Sequence, residues 1–380
     1  MRLGIIGLPQ SGKSTVFEAL TRTPRDPGGR TSAKIGTVRV PDERVEKLSE
    51  MYQPKKTIFA QVEYFLPGIG ERKDELARRS LGEGGSIWNS VRACDALIHV
   101  VRNFGYEEEE ENRRSGDSPR TAGTVPEETE EEETVGTVPD GGTVPLRDFL
   151  KLDHEMIFAD LMTLTKRLDR LNADKDRGKK YDAAEVTLIE QALKHLDGDR
   201  PLRRVPEIAA SPLLKGFTLV SAKPMLVLFN NDDASDGAPE VSGVLADEMR
   251  MVMRGRLEAE LAQIPHEDAE EFLAEFGIAH SALDRVVRAS YDLLGLISFF
   301  TVGEDEVRAW TVRKDAPALD AADCIHSDIR RGFIRAEVLA YADLMSCGSY
   351  AEARKLAKVR LEGKTYPVKD GDIIEFRFNA

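Results

Sequence analysis

The chain has 380 residues, 41% hydrophobic and 32% charged, with a formal net charge of -14. This is the composition of a soluble chain with two or three domains, each able to bury a core, and no apolar run approaches the ~20 residues of a membrane span. Cys94, Cys324 and Cys347 lie far apart with no Cys-x-x-Cys pair, which argues against a disulfide framework or zinc site and fits a reducing cytoplasm.

The first element is a short apolar strand, Leu3 to Gly7, too brief for a signal peptide. Gly7-Leu8-Pro9-Gln10-Ser11-Gly12-Lys13-Ser14 follows and matches G-x-x-x-x-G-K-[ST], with a helix expected over Lys13 to Leu20. The chemistry needs these residue types. Glycines let backbone N–H groups wrap phosphates, Lys13 supplies positive charge to the β- and γ-phosphates, and the Ser14 hydroxyl is placed to ligate Mg²⁺. Pro9, Gln10, Ser11, Gly12, Lys13, Ser14 and Thr15 are therefore the expected phosphate-binding residues, with Lys13 the catalytic one.

A second strand is expected over Ile58 to Phe65. A P-loop enzyme needs an acid near Mg²⁺ at the end of such a strand. Here Pro67-Gly68 is preceded by Phe65-Leu66, with Glu63 two strand positions before Phe65. Ala96 to Val101 is a continuous apolar run, as in a buried parallel strand. His99 within it reads as a satisfied core histidine rather than a catalyst.

From Tyr106 to Asp140 the chain carries eleven Glu, two Asp and three Arg, a net of -10, which leaves -4 for the other 345 residues. Gly-Thr-Val-Pro recurs at Gly123, Gly136 and Gly142. Like-charge runs with no apolar residues to bury predict disorder, and a tolerated low-complexity insertion is preferred over an acidic interaction tail.

The period then changes. Ile157, Leu161, Leu164, Leu168 and Leu171 step by heptad spacing, as do Val186, Ile189, Leu193 and Leu196. The polar break from Asn172 to Tyr181 predicts a coiled-coil hairpin. Its tip carries Lys175, Arg177, Lys179 and Lys180, offset by Asp174 and Asp176. Contact with nucleic acid and simple solvation both account for that tip.

Another buried strand is expected over Pro224 to Phe229, ending at Asn230-Asn231-Asp232-Asp233. GTPases read guanine with Asn-Lys-x-Asp at this place. Asn230 and Asp233 match, while Asn231 replaces the Lys, and an Asn/Asp-rich turn is the alternative. Strands alternating with helices imply an open α/β sheet. The last ~80 residues read as a small α+β module, with strands over Val307 to Val312 and Ile373 to Phe378, a helix over Ala351 to Lys358 and a turn at Lys369 to Asp372. Arg330, Arg331, Arg335, Lys355, Lys358 and Arg360 make it locally basic, which suits RNA phosphates. His326 and Asp328 read as a surface turn rather than a catalytic dyad.

The chain resembles the YchF/Obg-like ATPase family over nearly its whole length except the acidic insert. The residues that carry the resemblance are Gly7 to Thr21, Gly82-Glu83-Gly84, Cys94 to Val101, Ala222-Lys223-Pro224, Glu306 to Thr311, Ile325 to Asp328, Arg331 to Val338, Leu361 to Lys364 and Asp370-Gly371-Asp372. The resemblance implies a P-loop domain over residues 1–150 and 205–297, with the insert at about 106–145. It further implies a helical coiled-coil hairpin over 151–204 and a C-terminal β-grasp (ubiquitin-like TGS) domain over 298–380. It implies a monomeric cytoplasmic protein that binds the ribosome and its RNA, hydrolyses ATP slowly with Mg²⁺, and takes neither membrane nor DNA as partner. Nucleotide contacts then fall on the phosphate loop and on Asn230, Asn231 and Asp233.

The chain departs from the family pattern at several points. The acid before Pro67-Gly68 is missing, and the P-loop Asn is Gln10. The switch Thr aligns near Arg30, with Thr31 one position off. The Ser-Ala-Lys loop is Arg254-Gly255-Arg256. Ile69 after Gly68 fits the family's apolar residue in place of a water-orienting glutamine. A slow ATPase is the leading expectation. A nucleotide-dependent binding switch with little hydrolysis, or a GTP-binding GTPase, are the alternatives.

Overall fold

The structure is a computed structural model. It describes residues 1–23, 32–68, 85–105, 144–235, 237–239, 241, 243–264, 268 and 281–379. The acidic insert up to residue 143, Arg30, Thr31, Ile69 and Gly82-Glu83-Gly84 lie outside the described residues.

In chain order the first elements are β1 (Arg2–Ile6), α1 (Lys13–Thr21), β2 (Lys34–Arg39), α2 (Glu43–Tyr52), β3 (Lys56–Ile58), β4 (Gln61–Leu66), α3 (Gly85–Val91) and β5 (Ala96–Asn103). Two long helices follow, α4 (Val144–Asp176) and α5 (Ala183–Asp197), then α6 (Pro206–Ala209), β6 (Met225–Asn231), β7 (Met249–Met253), α7 (Gly255–Leu261) and α8 (Ala282–Leu293). The chain ends with β8 (Leu296–Thr301), β9 (Glu306–Arg313), α9 (Ala318–Ile325), α10 (Ser327–Gly332), β10 (Phe333–Ala340), α11 (Tyr341–Cys347), α12 (Tyr350–Lys355), β11 (Arg360–Glu362) and β12 (Asp372–Phe378). No described helix is long and apolar enough to cross a membrane.

The chain divides into two compact units, Arg2–Gly36 with Phe65–Ala282, and Met1 with Thr37–Tyr64 and Leu283–Ala380. The first holds the central strands of a sheet ordered β2-β4-β1-β5-β6-β7. β1, β5, β6 and β7 run parallel, with Leu3 beside Ala96, Leu97 beside Met225 and Leu226 beside Met249. Six successive buried positions on β5 and seven on β6 explain their unbroken apolar runs, because a parallel sheet is covered on both faces. Phe149 and Met156 of α4 pack on one face against Val227 and Phe229. Parallel strands bring their C-terminal ends to one edge, which is where the phosphate loop leaves β1.

α4 is 33 residues, roughly 50 Å long. Its first two residues, Val144-Pro145, belong to the third Gly-Thr-Val-Pro repeat; proline is tolerated in a first helical turn because its missing N–H has no partner there. The heptad positions Ile157, Leu164 and Leu171 are buried and share a core with Ile189, Ala192 and Leu196 of α5. The helix runs five residues into the polar break, Asn172 to Asp176, and stops before Gly178, which takes φ of +68°. Asp182 caps α5 by accepting from the Ala184 N–H, and Arg167 donates twice to Glu185 at 2.7 and 2.8 Å. At the tip Lys179 pairs with Asp174 at 3.1 Å, and Lys175 lies over the Tyr181 ring.

The second unit holds a sheet ordered β11-β10-β12-β8-β9-β3. β10 pairs antiparallel with both β11 and β12, β8 antiparallel with β9, and β3 parallel with β9. Ala318, Ala321 and Ala322 of α9 pack on Phe299, Val338 and Ile374. The strand expected over Ile58 to Phe65 is two strands, β3 and β4, interrupted at Phe59-Ala60. The interruption places the Ala60 carbonyl to accept from the Val40 N–H at 2.8 Å. The helix expected to reach Lys358 ends at Lys355, and Ala357 beyond it has φ of +55°. His326 is a helix cap. Its Nδ1 accepts from the Asp328 N–H at 3.1 Å, in keeping with the surface-turn reading.

Candidate nucleotide site

The phosphate loop joins β1 to α1 and lies wholly within the first unit. Gly12 is the residue before α1 and takes φ of +87°, so the helix begins with no side-chain cap and no acid in its first turn. An uncapped N-terminus leaves several N–H groups aimed outward with the positive end of the helix dipole. That is the arrangement an anion needs. Gln10 adopts φ of +64°, a conformation uncommon for a residue with a side chain.

Lys13 is held back along the loop, its Nζ donating to the Leu8 carbonyl at 3.1 Å. An ammonium has three donors, so this bond leaves two for phosphate oxygens. Burial lowers the Lys13 pKa from its ordinary value. Ser14 is exposed at the first turn of the helix. The Ser11 hydroxyl is buried and has no hydrogen-bond partner among the described residues. Pro9 is exposed and Thr15 is half-buried at the helix start.

Asn230 ends β6 and is 5% exposed. Its Nδ2 donates to the Ser11 carbonyl at 3.1 Å, and its Oδ1 accepts from the Gly255 N–H at 2.9 Å. Both flanking positions are glycines for steric reasons. A Cβ on Gly12 would sit 2.1 Å from Asn230 Nδ2, and one on Gly255 would sit 2.5 Å from Asn230 Oδ1. Asn230 therefore ties the phosphate loop to the start of α7.

The other base-loop residues separate. Asn231 is buried and turned into the backbone, donating to the Ser235 and Gly237 carbonyls and accepting from Asn103 at 2.8 Å. Asp232 accepts from the Ala234 and Ser235 N–H groups and so shapes the turn. Asp233 is half-exposed and lies 3.9 Å from Arg256, whose guanidinium also meets Glu260 at 3.3 Å. Gly255 was visible in sequence only as part of an altered loop; its partnership with Asn230 joins residues 25 apart.

Phe65 and Leu66 are buried, so an apolar pair occupies the place where a P-loop enzyme has an acid. Among the described residues, no group of three His, Cys, Asp or Glu side chains is arranged to hold a metal ion. His99 is fully buried and stacked on Phe149 at 5.2 Å, a core residue as expected, but its Nδ1 has no hydrogen-bond partner among the described residues, so it is not a satisfied one.

Comparison with known proteins places these observations. The family model YchF-GTPase_C, described as a protein of unknown function (DUF933), matches residues 296–379. The chain is 35% identical to the ribosome-binding ATPase YchF of Bacillus subtilis, over 99% of each chain. It is 33% identical to the protein of that name from Haemophilus influenzae, over 100% of this chain and 99% of the other. Among solved structures it resembles the Schizosaccharomyces pombe YchF GTPase, with a TM-score of 0.72 and 25% identity, covering 99% of this chain and 97% of that one. A GTP-binding protein from Pyrococcus horikoshii shares the fold at a TM-score of 0.55 and 18% identity, over the full length of both.

Proposed function

The chain belongs to the YchF family, and on that premise we propose that it is a ribosome-associated cytoplasmic protein that binds ATP and hydrolyses it slowly. The observation that carries the proposal is the uncapped start of α1 with Lys13 and Ser14 beside it, tied through Asn230 to the base side of the site. In this reading backbone N–H groups from Gln10 to Ser14 cradle the phosphates. Lys13 stabilises the charge that develops on the transferring phosphoryl group. Ser14 is the residue that would hold Mg²⁺, which would supply positive charge to the phosphates. α4 and α5 are taken as the family's helical insertion, and residues 298–380 as its TGS domain.

Preference for ATP rests on the base loop. Reading guanine needs a free carboxylate to accept from N1–H and the N2 amine. Asp233 shares its charge with Arg256, and Asn231 has no aliphatic stem to lie along the base. These features weaken guanine selection, and the relatives named as ATPases support ATP as the nucleotide.

A second reading is a nucleotide-dependent binding switch with little turnover. The buried Phe65-Leu66 pair favours it, because no acid there can help hold the metal. Titration with ATP and GTP in Mg²⁺, followed by phosphate release over hours, separates the two. Slow release from ATP supports the enzyme, tight binding without release supports the switch, and a clear preference for GTP overturns the ATP assignment.

A further inference from the structure

β12 pairs with β8 at one position, Ile373 beside Phe300. β8 then ends at Thr301, which lies opposite Arg308 of β9, while β12 runs on to Phe378. The strand order sets β8 between β12 and β9, so the sheet opens a notch where β8 stops. A cavity of about 460 Å³ occupies that notch, wholly within the second unit, and its size is in the range of small-molecule sites.

Its walls are mostly apolar and aromatic. Ile325 at the end of α9 and Ile329 of α10 contribute one part, with Trp310 and Phe376. The Trp310 ring is held by its Nε1, which donates to the Thr301 hydroxyl at 2.9 Å. Tyr52 at the end of α2 and Tyr350 at the start of α12 line the cavity as well. Both tyrosine hydroxyls are buried with no hydrogen-bond partner among the described residues. Among the described residues on the walls, the charged ones are both acids, Glu306 and Glu375. Glu306 meets Arg308 at 3.8 Å, and Arg308 in turn lies 3.8 Å from the centre of the Trp310 ring. Arg354, 5.6 Å from the Tyr350 ring, is committed to Glu337. Glu375 is exposed and forms no ion pair among the described residues. Burial, with the Glu375 charge adding to it, raises the Tyr350 pKa, so this carboxylate and that hydroxyl are within electrostatic reach of each other.

These walls select a ligand class. An anion would meet two carboxylates with no cation on the wall to balance them. A wholly apolar ligand would desolvate Glu375 and leave both tyrosine hydroxyls unmet. An organic ammonium suits each part of the lining. Aromatic faces attract cations, as Arg308 on Trp310 shows, and an ammonium donates to phenol and carboxylate oxygens. We propose that the notch binds a small organic ammonium with an apolar or aromatic body. The body lies against Ile325, Ile329 and Phe376, and the charge is directed to Glu375 and the two tyrosines. The phosphate loop belongs to the other unit, so the site stands whether or not the chain turns over ATP.

Calorimetry on the full chain tests this with three probes of similar shape: 2-phenylethylamine, charged at neutral pH, the neutral 2-phenylethanol and the anionic 3-phenylpropionate. Trp310 fluorescence reports occupancy, since the chain's other tryptophan, Trp88, is buried in the first unit. The amine should bind at millimolar strength or better, as roughly nine non-hydrogen atoms allow, and about tenfold more tightly than the alcohol, with no saturation by the carboxylate. Glu375→Gln should weaken the amine roughly 3- to 10-fold and leave the alcohol unchanged. Val302→Phe, which fills the notch next to Thr301, should abolish binding of both. Thermal melting checks that each variant is folded, and either variant decides alone if the other does not melt cooperatively. Equal affinity for amine and alcohol overturns the proposal, as does amine binding that survives Val302→Phe or is unaffected by Glu375→Gln. Preference for the carboxylate, or no saturation by the amine at tens of millimolar, overturns it too.

Discussion

Asn230 was read in sequence as a base contact, yet its side chain is spent on protein backbone at Ser11 and Gly255. Two hydrogen bonds at about 0.5–1.5 kcal/mol each set the scale of its contribution, so Asn230→Ala should weaken ATP binding roughly 5- to 150-fold. The loss should be the same for inorganic triphosphate, which has no base, if Asn230 acts by holding the loop. Calorimetric titration of both ligands checks this; a loss confined to ATP would return Asn230 to base recognition. His99 makes a second prediction. Burial, with the nearby Arg203 charge adding to it, pushes its pKa down to about 3 from the usual 6.5. The folded state then resists the proton that the unfolded chain accepts. Stability is full above pH 6.5 and declines as pH falls from there toward 3, by about 1.4 kcal/mol per proton between pH 7.5 and 5.5. Urea unfolding at those two pH values should give a drop that His99→Phe reduces by that amount; an unchanged drop would contradict it. The phosphate loop itself was legible because its chemistry is local, eight residues in a row. The Asn230 strut was not, since it joins positions 219 apart.

The long helices were legible in outline from their heptads, because buried leucines repeat where α4 meets α5. Their ends were less so. Asn172 to Asp176 are polar yet helix-tolerant, and only Gly178 marks the stop. The polar anchors beneath α4 left no periodic signal at all. Asp160 is fully buried and accepts from the Val220 and Ser221 N–H groups at 2.9 and 2.7 Å, with Arg92 3.5 Å away. Arg203 donates to Asp153 and Glu248 in a second buried network. Asp160→Asn keeps the shape but turns one acceptor into a donor facing an N–H. It should destabilise this unit by about 1–3 kcal/mol, measured by urea unfolding. A cost near zero would mean that the helix is held by apolar packing alone. Two strands of the C-terminal module, Val307 to Val312 and Ile373 to Phe378, match β9 and β12 within a residue because their alternation reports a half-buried sheet, while β8, β10 and β11 were not read.

At the scale of the chain, the net charge of -14 first suggests an acidic protein, but ten of those charges belong to one 35-residue stretch. What remains is nearly neutral, and ion pairing in the C-terminal module neutralises most of its cations. The division into units was the least legible feature. Residues 37–64 group with the C-terminal module because β3 pairs in parallel with β9, about 250 positions later, and nothing in either segment's own pattern announces the other. The central claim is that a complete phosphate loop, despite the apolar pair before Pro67-Gly68, supports ATP turnover coupled to the ribosome. The most direct measurement is phosphate release from ATP with and without purified ribosomes, for wild type and for Lys13→Ala. Slow release that ribosomes accelerate, and that Lys13→Ala reduces by a hundredfold or more, roughly the scale of losing one preorganised charge, is the predicted result. ATP bound tightly with no release under either condition would contradict it.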